Sequence, residues 1–312
     1  MMQERQIEEY LARLAVPRQR PAMSDLRGLS DLSSTESHTF WEIWQTIPEA
    51  RRRALAQAMQ ELAEENPDLD FREVFLRCLA DTNADVRLAA VQGLWEDDRL
   101  STLRRLLQVM NHDEAQEVRA AAATGLGHFS YMAAVEEIDE QVAQDLLEAL
   151  LETFHRPGET VEVRRRALES LGYYSDDPDV IAIITAAFAS GEELWQQSAL
   201  FAMGRSMSPR WMDEVSAALR SDRPALRYEA ARASGEFGEQ GRSLLPALLP
   251  LADDPDSEVA MAAIWALGQI GGQQARQTLK RIMRSADASR REAAEEALHE
   301  LEFFEDPLFG QI

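Results

Sequence analysis

The stretch Asp256-Ser257-Glu258-Val259-Ala260-Met261-Ala262-Ala263-Ile264-Trp265-Ala266-Leu267-Gly268-Gln269-Ile270-Gly271 frames the whole chain. Val259 anchors it. Ala263, Ile264 and Leu267 follow at +4, +5 and +8, positions that share one side of a helix at about 100° per residue. The same frame recurs upstream as Val86-Arg87, Ala90, Leu94, then Val118-Arg119, Ala122, Leu126-Gly127, then Val163-Arg164, Ala167, Leu171-Gly172. Trp195-Gln196, Ala199, Met203-Gly204 is a weaker copy, and Leu226-Arg227, Ala230, Gly235 a further one. Arg290-Arg291, Ala294, Leu298 is a degenerate last copy. The anchors lie 31–33 residues apart except for one step, from Val118 to Val163. A fixed period of this length is the signature of a repeat array.

Each unit reads as two helices. The anchor frame forms the second. An apolar stretch such as Leu103 to Met110 or Leu146 to Leu151 forms the first. Polar turns separate them, among them Asp81-Thr82-Asn83, Asn111-His112-Asp113 and Asp253-Asp254-Pro255-Asp256. Such residues cap helices and turn the chain. The alanine at +4 lets neighbouring helices approach closely. The glycine at +9 reads as the end of the second helix, where a left-handed residue is cheapest. A divergent unit opens the array: Thr39-Phe40-Trp41-Glu42 reads as a capping box. Pro48 suits the start of the next helix, where Ala50-Arg51 and Ala54 loosely repeat the anchor. One helix pair cannot bury its apolar face alone, so the pairs must stack. The expected fold is all-α, an α-solenoid of about seven to eight antiparallel helix pairs.

These residues resemble the HEAT-like repeats first described in phycobilisome lyases, over roughly residues 40–300. The stretch Asp256 to Gly271 is the copy nearest the usual pattern. The resemblance implies that the Arg after the anchor pairs with a turn Asp of a neighbouring unit, which would place Arg87, Arg119, Arg164 and Arg227 in a ladder. Gln196 and Ala260 depart from the pattern, so the ladder should break there. The resemblance specifies a fold and leaves function open.

Composition narrows the function classes. The chain has 312 residues, of which 45% are hydrophobic, and a formal net charge of −23. A duplex nucleic acid would be repelled by that charge, so no nucleic-acid partner is expected. Lys280 is the single lysine. No apolar run is long enough for a membrane span, and the N-terminal charges do not fit a signal peptide. A cytoplasmic location is the expectation. Cys78, the single cysteine, excludes an internal disulfide and any cysteine-cluster metal site; it reads as a small core residue.

The residues that could carry chemistry are scattered. His38, His112, His128, His155 and His299 share no position in the repeat. His299-Glu300 is a lone His-Glu pair, and one pair cannot assemble the iron site of hydroxylases built on this type of repeat. No phosphate loop and no nucleophile elbow occurs. The acidic turns Asp176 to Asp179 and Asp253 to Glu258 lack the glycine and distal glutamate of a calcium loop. No catalytic residue, metal or cofactor is expected.

The array is expected to span residues 38–300. Residues 1–37 precede it as a helix (Ile7, Tyr10, Leu11 and Leu14 on one side, ended by Pro17) and a linker. That arm either docks on the acidic body or a second chain, or is a tail. The long step inserts about thirteen residues near 128–141, as a partner-binding loop, a solvated loop or an extra helical turn. Residues 301–312 form an acidic, aromatic end, in which Phe303 and Phe304 either cap the last pair or belong to a peptide motif for another protein.

The frame also places a binding surface. Positions +2 and +6 fall about 140–180° from the core side, and in stacked pairs they line the concave face. They are Gln197 and Phe201, Tyr228 and Arg232, and Met261 and Trp265 in the later units, and Arg165 and Glu169 in the third copy. Phe201, Tyr228, Met261 and Trp265, with Arg165, Arg166, Arg205 and Arg232, then form an aromatic–arginine patch of the kind that anchors partners. Alternatively these side chains pack on neighbouring second helices. The function expected is a non-catalytic scaffold or adaptor that binds a peptide or helix of a protein partner in this groove. The alternative is a bilin-lyase-like ligand-binding protein or enzyme subunit.

Overall fold

The computed structural model describes residues 2–16, 21 and 23–305. Among them are 18 α-helices and no strand. They divide into two compact units, Met1–Ser170 and Leu171–Ile312.

The first unit holds α1 (Met2–Leu14), α2 (Met23–Arg27), α3 (Ser34–Trp44), α4 (Glu49–Glu65), α5 (Arg72–Cys78), α6 (Ala84–Gln92), α7 (Leu100–His112), α8 (Gln116–Ala134), α9 (Glu140–His155) and most of α10 (Val161–Leu171). The second helices α4, α6 and α8 pack in succession, and first helices α5 and α7 pack on α6 and α8. The anchors Val86, Val118 and Val163 and the +4 alanines Ala90, Ala122 and Ala167 are buried, as the periodicity requires.

In the second unit α11 (Pro178–Ala189) precedes α12 (Glu193–Ser206), and α13 (Met212–Ala218) precedes α14 (Pro224–Glu236). A run of 3-10 turns around α15 (Leu245–Leu248) precedes α16 (Ser257–Ile270), and α17 (Gly272–Ile282) precedes α18 (Ala288–Glu305). Here α12, α14, α16 and α18 pack in succession. Turn acids cap the helices as the sequence suggests: Asp177 and Asp256 accept from two backbone N–H groups each, at the starts of α11 and α16.

The repeat glycines do a different job from the expected one. Gly204 and Gly268 lie inside α12 and α16, and neither has a positive φ. A Cβ on Gly204 would stand 2.9 Å from Ala233 Cα, and one on Gly268 2.9 Å from Ala297 O. These glycines let successive second helices meet backbone to backbone, and the left-handed residue after α12 is Met207. The capping box is also displaced. Ser33 accepts from Glu36 N while its own N–H donates to the Glu36 carboxylate, so the cap of α3 lies six residues before Thr39.

The arginine ladder forms with acids of either type. Arg87 grips Asp113 through Nε and Nη2 at 2.7 and 2.8 Å, and Arg227 grips Asp254 at 2.8 and 2.9 Å. Arg119 takes Glu159 in place of an aspartate. Each also donates to carbonyls of its own turn, so one side chain ties two turns together. In the divergent first unit the rung is Arg52, one residue beyond the Arg51 of the loose sequence match. Arg52 holds Asp81, which also accepts from Trp44 Nε1 at 2.8 Å. Arg164 donates to the Phe154 carbonyl. Where Gln196 replaces the rung, the polarity reverses: Arg223 of the following turn donates to the Gln196 amide oxygen. Where Ala260 replaces it, Arg290 reaches the carbonyls of Ala252 and Asp254.

The N-terminal segment packs into the first unit. Ile7, Leu11 and Leu14 of α1, and Leu26, Leu29 and Leu32 of the stretch read as a linker, share a core with Phe40 and Trp44. Arg51 donates to the Leu14 carbonyl at 2.6 Å. Five leucines and an isoleucine are too much apolar surface to leave in water, and their spacing hid that in a Pro- and Ser-rich context. Pro17 lies outside the described residues. The insertion after Gly127 is largely helix: α8 continues to Ala134, burying Phe129 and Met132. At the other end, Leu298 and Leu301 carry the buried stripe of α18, which leaves Phe303 half-exposed. The side chain of Phe304 and residues 306–312 lie outside the described part.

Candidate functional site

Three successive second helices of the second unit, α12, α14 and α16, set the candidate site. Phe201, Tyr228, Met261 and Trp265 sit at the +2 and +6 positions of these helices, and all four are partly exposed. The periodicity explains this: each helix uses its 0, +4, +5 and +8 side for the core and has the opposite side left over.

Two adjoining depressions share Arg232 as a common wall. One, of about 100 Å³, is lined by Tyr173, Phe201, Arg205, Glu229, Arg232 and Glu236, with Gly204 and Ala233 at its floor. The other, of about 330 Å³, is lined by Tyr228, Arg232, Glu258, Met261, Ala262 and Trp265. The guanidinium of Arg205 stacks over Phe201 at 4.6 Å and over Tyr173 at 5.0 Å, and donates to the Tyr173 hydroxyl at 3.1 Å. Arg232 stands over the Trp265 ring at 5.8 Å. Burial by itself would lower the Arg232 guanidinium, but the neighbouring Tyr228 hydroxyl and the charges of Glu229 and Glu236 hold it above its ordinary value, so it is a permanent cation. Gly235 clears the space in which the Trp265 ring lies: a Cβ there would come 2.4 Å from the ring.

Six of the eight residues singled out in the sequence therefore lie together. Arg165 and Arg166 lie in the first unit and are engaged locally. Arg165 is only 7% exposed and pairs with Glu162 at 3.0 Å, and Arg166 pairs with Glu162 and Glu169 at 2.7 and 2.8 Å. Acids at i−3, i−4 and i+3 on the same helix account for this. Tyr173, Glu229, Glu236 and Glu258 were not anticipated. Tyr173, Arg205 and Glu236 all occupy +10, the next step of the +2, +6 stripe, so extending that stripe one turn would have found them.

Among the described residues no group of three or more His, Cys, Asp or Glu side chains is placed to hold a metal ion. No helix among them is long and apolar enough to cross a membrane. Cys78 is buried, and burial pushes its thiol well above its ordinary value, with the Asp81 charge adding to the effect.

The family model for HEAT repeats matches residues 72–157 and 212–299, more than half of the chain. The chain belongs to the HEAT-repeat family. The HEAT copies anchored at Val163 and Trp195 fall between the two matched stretches, and in the second of them Gln196 stands where the ladder has Arg. No curated protein sequence matches the chain. Among solved structures, importin beta is similar over 95% of this chain and 44% of its own, at 14% identity and a TM-score of 0.50. Human deoxyhypusine hydroxylase is similar over 97% and 98%, at 16% identity and a TM-score of 0.38. An engineered protein is similar over 95% and 88%, at 16% identity and a TM-score of 0.41. At 14% identity the likeness to importin beta is one of fold.

Proposed function

We propose that this HEAT-repeat protein is a non-catalytic scaffold or adaptor that grips a peptide or helix of a protein partner across α12, α14 and α16. The observation that carries the reading is the pair of adjoining depressions walled by Phe201, Arg205, Tyr228, Arg232, Met261 and Trp265. Rigid aromatic side chains beside arginines on an open face are the composition of interface anchors. The stacked helices supply a surface that no single pair would offer. Arg165 and Arg166 have no part in it, since their guanidiniums are held by Glu162 and Glu169.

Affinity capture from the native lysate tests this, with wild type against Phe201→Ala/Trp265→Ala. Both residues are partly exposed, so the double variant should keep the far-UV circular dichroism of the wild type while losing a bound protein. The same proteins on both baits would refute the groove. A co-purifying chromophore with no protein would refute the scaffold reading in favour of a ligand-binding or catalytic one.

A further inference from the structure

The docking reading leaves open what the partner carries, and two arginines bear on that. The chain has 55 acidic residues against 32 basic ones. Arg52, Arg87, Arg119 and Arg227 each meet a carboxylate at 2.7–2.8 Å. Arg205 and Arg232 do not: among the described residues neither has a carboxylate within 4.0 Å. Glu229 and Glu236 line the same depression, and their charges act on Arg232. In so acidic a chain, two groove-lining cations without a contact ion pair stand apart from the ladder.

Arg232 has the Tyr228 hydroxyl as a hydrogen-bond partner, and a guanidinium has further donors to offer. Arg205 stands over both the Phe201 and Tyr173 rings and commits one N–H, on Nη1, to the Tyr173 hydroxyl. A guanidinium has five N–H donors in a planar fork. Stacking on ring faces covers its faces and leaves its edges for a bidentate acceptor. The depression that Arg205 and Arg232 share is about 100 Å³, on the scale of a carboxylate. Its neighbour, about 330 Å³ and walled by Tyr228, Met261 and Trp265, has room for a large apolar side chain. The two lie over successive helices. Packed helices stand about 8–10 Å apart, and an extended chain rises about 3.3 Å per residue, so the two features fall two or three residues apart on one strand.

We infer that this face recognises an extended acidic peptide segment, with a large apolar or aromatic side chain seated over Met261 and Trp265 and a carboxylate two or three residues away held by Arg205 and Arg232. The inference rests on the docking reading and specifies its chemistry. A carboxylate supplies the contact charge that the chain's own acids do not, and the apolar seat supplies the burial that a free anion lacks.

Selection of a random dodecapeptide display library on the full chain tests it. Wild type should enrich peptides with Asp or Glu two or three residues from Phe, Trp, Leu or Met. In fluorescence polarisation with a selected peptide, Arg232→Gln should weaken binding about tenfold or more, the scale of a lost charge-assisted contact. Replacing the peptide's carboxylate by an amide should weaken it similarly, and the two losses should not add. Arg232→Glu should shift the enrichment to Lys- or Arg-bearing peptides. Arg232 is exposed, so these variants test recognition without a change of fold. Arg205→Gln, also predicted to weaken binding, is checked by circular dichroism. Enrichment without a carboxylate, or equal binding by wild type and Arg232→Gln, overturns the inference and spares the groove, provided Phe201→Ala/Trp265→Ala still abolishes binding. No enriched peptide, or binding that survives Phe201→Ala/Trp265→Ala, overturns both.

Discussion

Alanine in place of Gly172 puts the backbone-to-backbone packing to a direct test. A Cβ on Gly172 would stand 2.7 Å from Ala202 O, 2.8 Å from Ala202 Cα and 3.2 Å from Ala202 C. Carbon contacts are optimal at about 3.5–4.0 Å, so α12 must retreat by roughly 0.5–1 Å, and all three atoms are backbone that cannot rotate away. Overpacking of this kind costs about 1–3 kcal/mol. Loss of glycine's freedom in the unfolded chain offsets about 0.4–1 kcal/mol of it. The expected net loss is about 1–2 kcal/mol. Gly125, inside α8, is the control: a Cβ there meets Leu106 Cδ1 alone, at an ordinary 3.5 Å. Gly125→Ala should therefore stabilise by about 0.5–1 kcal/mol through helix propensity. Urea unfolding followed by far-UV circular dichroism reads both, and the two midpoints should move in opposite directions. If Gly172→Ala is as stable as wild type, the glycine does not set the helix approach and the reasoning fails.

The ladder gives two more expectations. Asp81→Ala leaves Arg52 and Trp44 Nε1 without their buried acceptor and should cost about 3–5 kcal/mol; a loss below about 1 kcal/mol in the same urea assay would mean that the rung is not structural. Acid should unfold the protein through these acids. Burial alone would raise the carboxyls of Asp81, Asp113, Asp254 and Glu159, but their arginine partners and backbone N–H groups outweigh it and hold all four below their ordinary values. A carboxyl lowered in the folded state contributes its full stability above its unfolded pKa and loses it as pH falls through the folded value. Urea midpoints should therefore hold steady down to about pH 5 and fall below about pH 4, and the fall should be shallower in Asp113→Asn. An unchanged slope in that variant would show that the carboxyl does not contribute.

What could be read in the sequence has a common cause. The anchors, the +4 alanines and the polar turns act within one helix or one turn, so a 31–33-residue period and a helical period displayed them directly. Phe201, Tyr228, Met261 and Trp265 were legible for the same reason, since a helix that commits one side to the core has its other side defined. Arg165 and Arg166 were misplaced because the frame gives a side chain's direction but not its neighbours, and here acids on the same helix hold both. The first capping box was misread because two Ser/Thr-x-x-Glu stretches, Ser33 to Glu36 and Thr39 to Glu42, compete, and packing chose the earlier.

By itself the sequence determined the all-α repeat class, the register of each second helix and the residues its outward side carries, because these follow from local periodicity. Only the tertiary structure decided that Gly172, Gly204 and Gly268 seat neighbouring backbones, that the N-terminal leucines complete a core, that Arg223 reverses a rung of the ladder, and that Arg205 and Arg232 share a depression without a contact ion pair. Each of these depends on which helices lie side by side and how closely, a matter of packing between separate helices that no local pattern encodes.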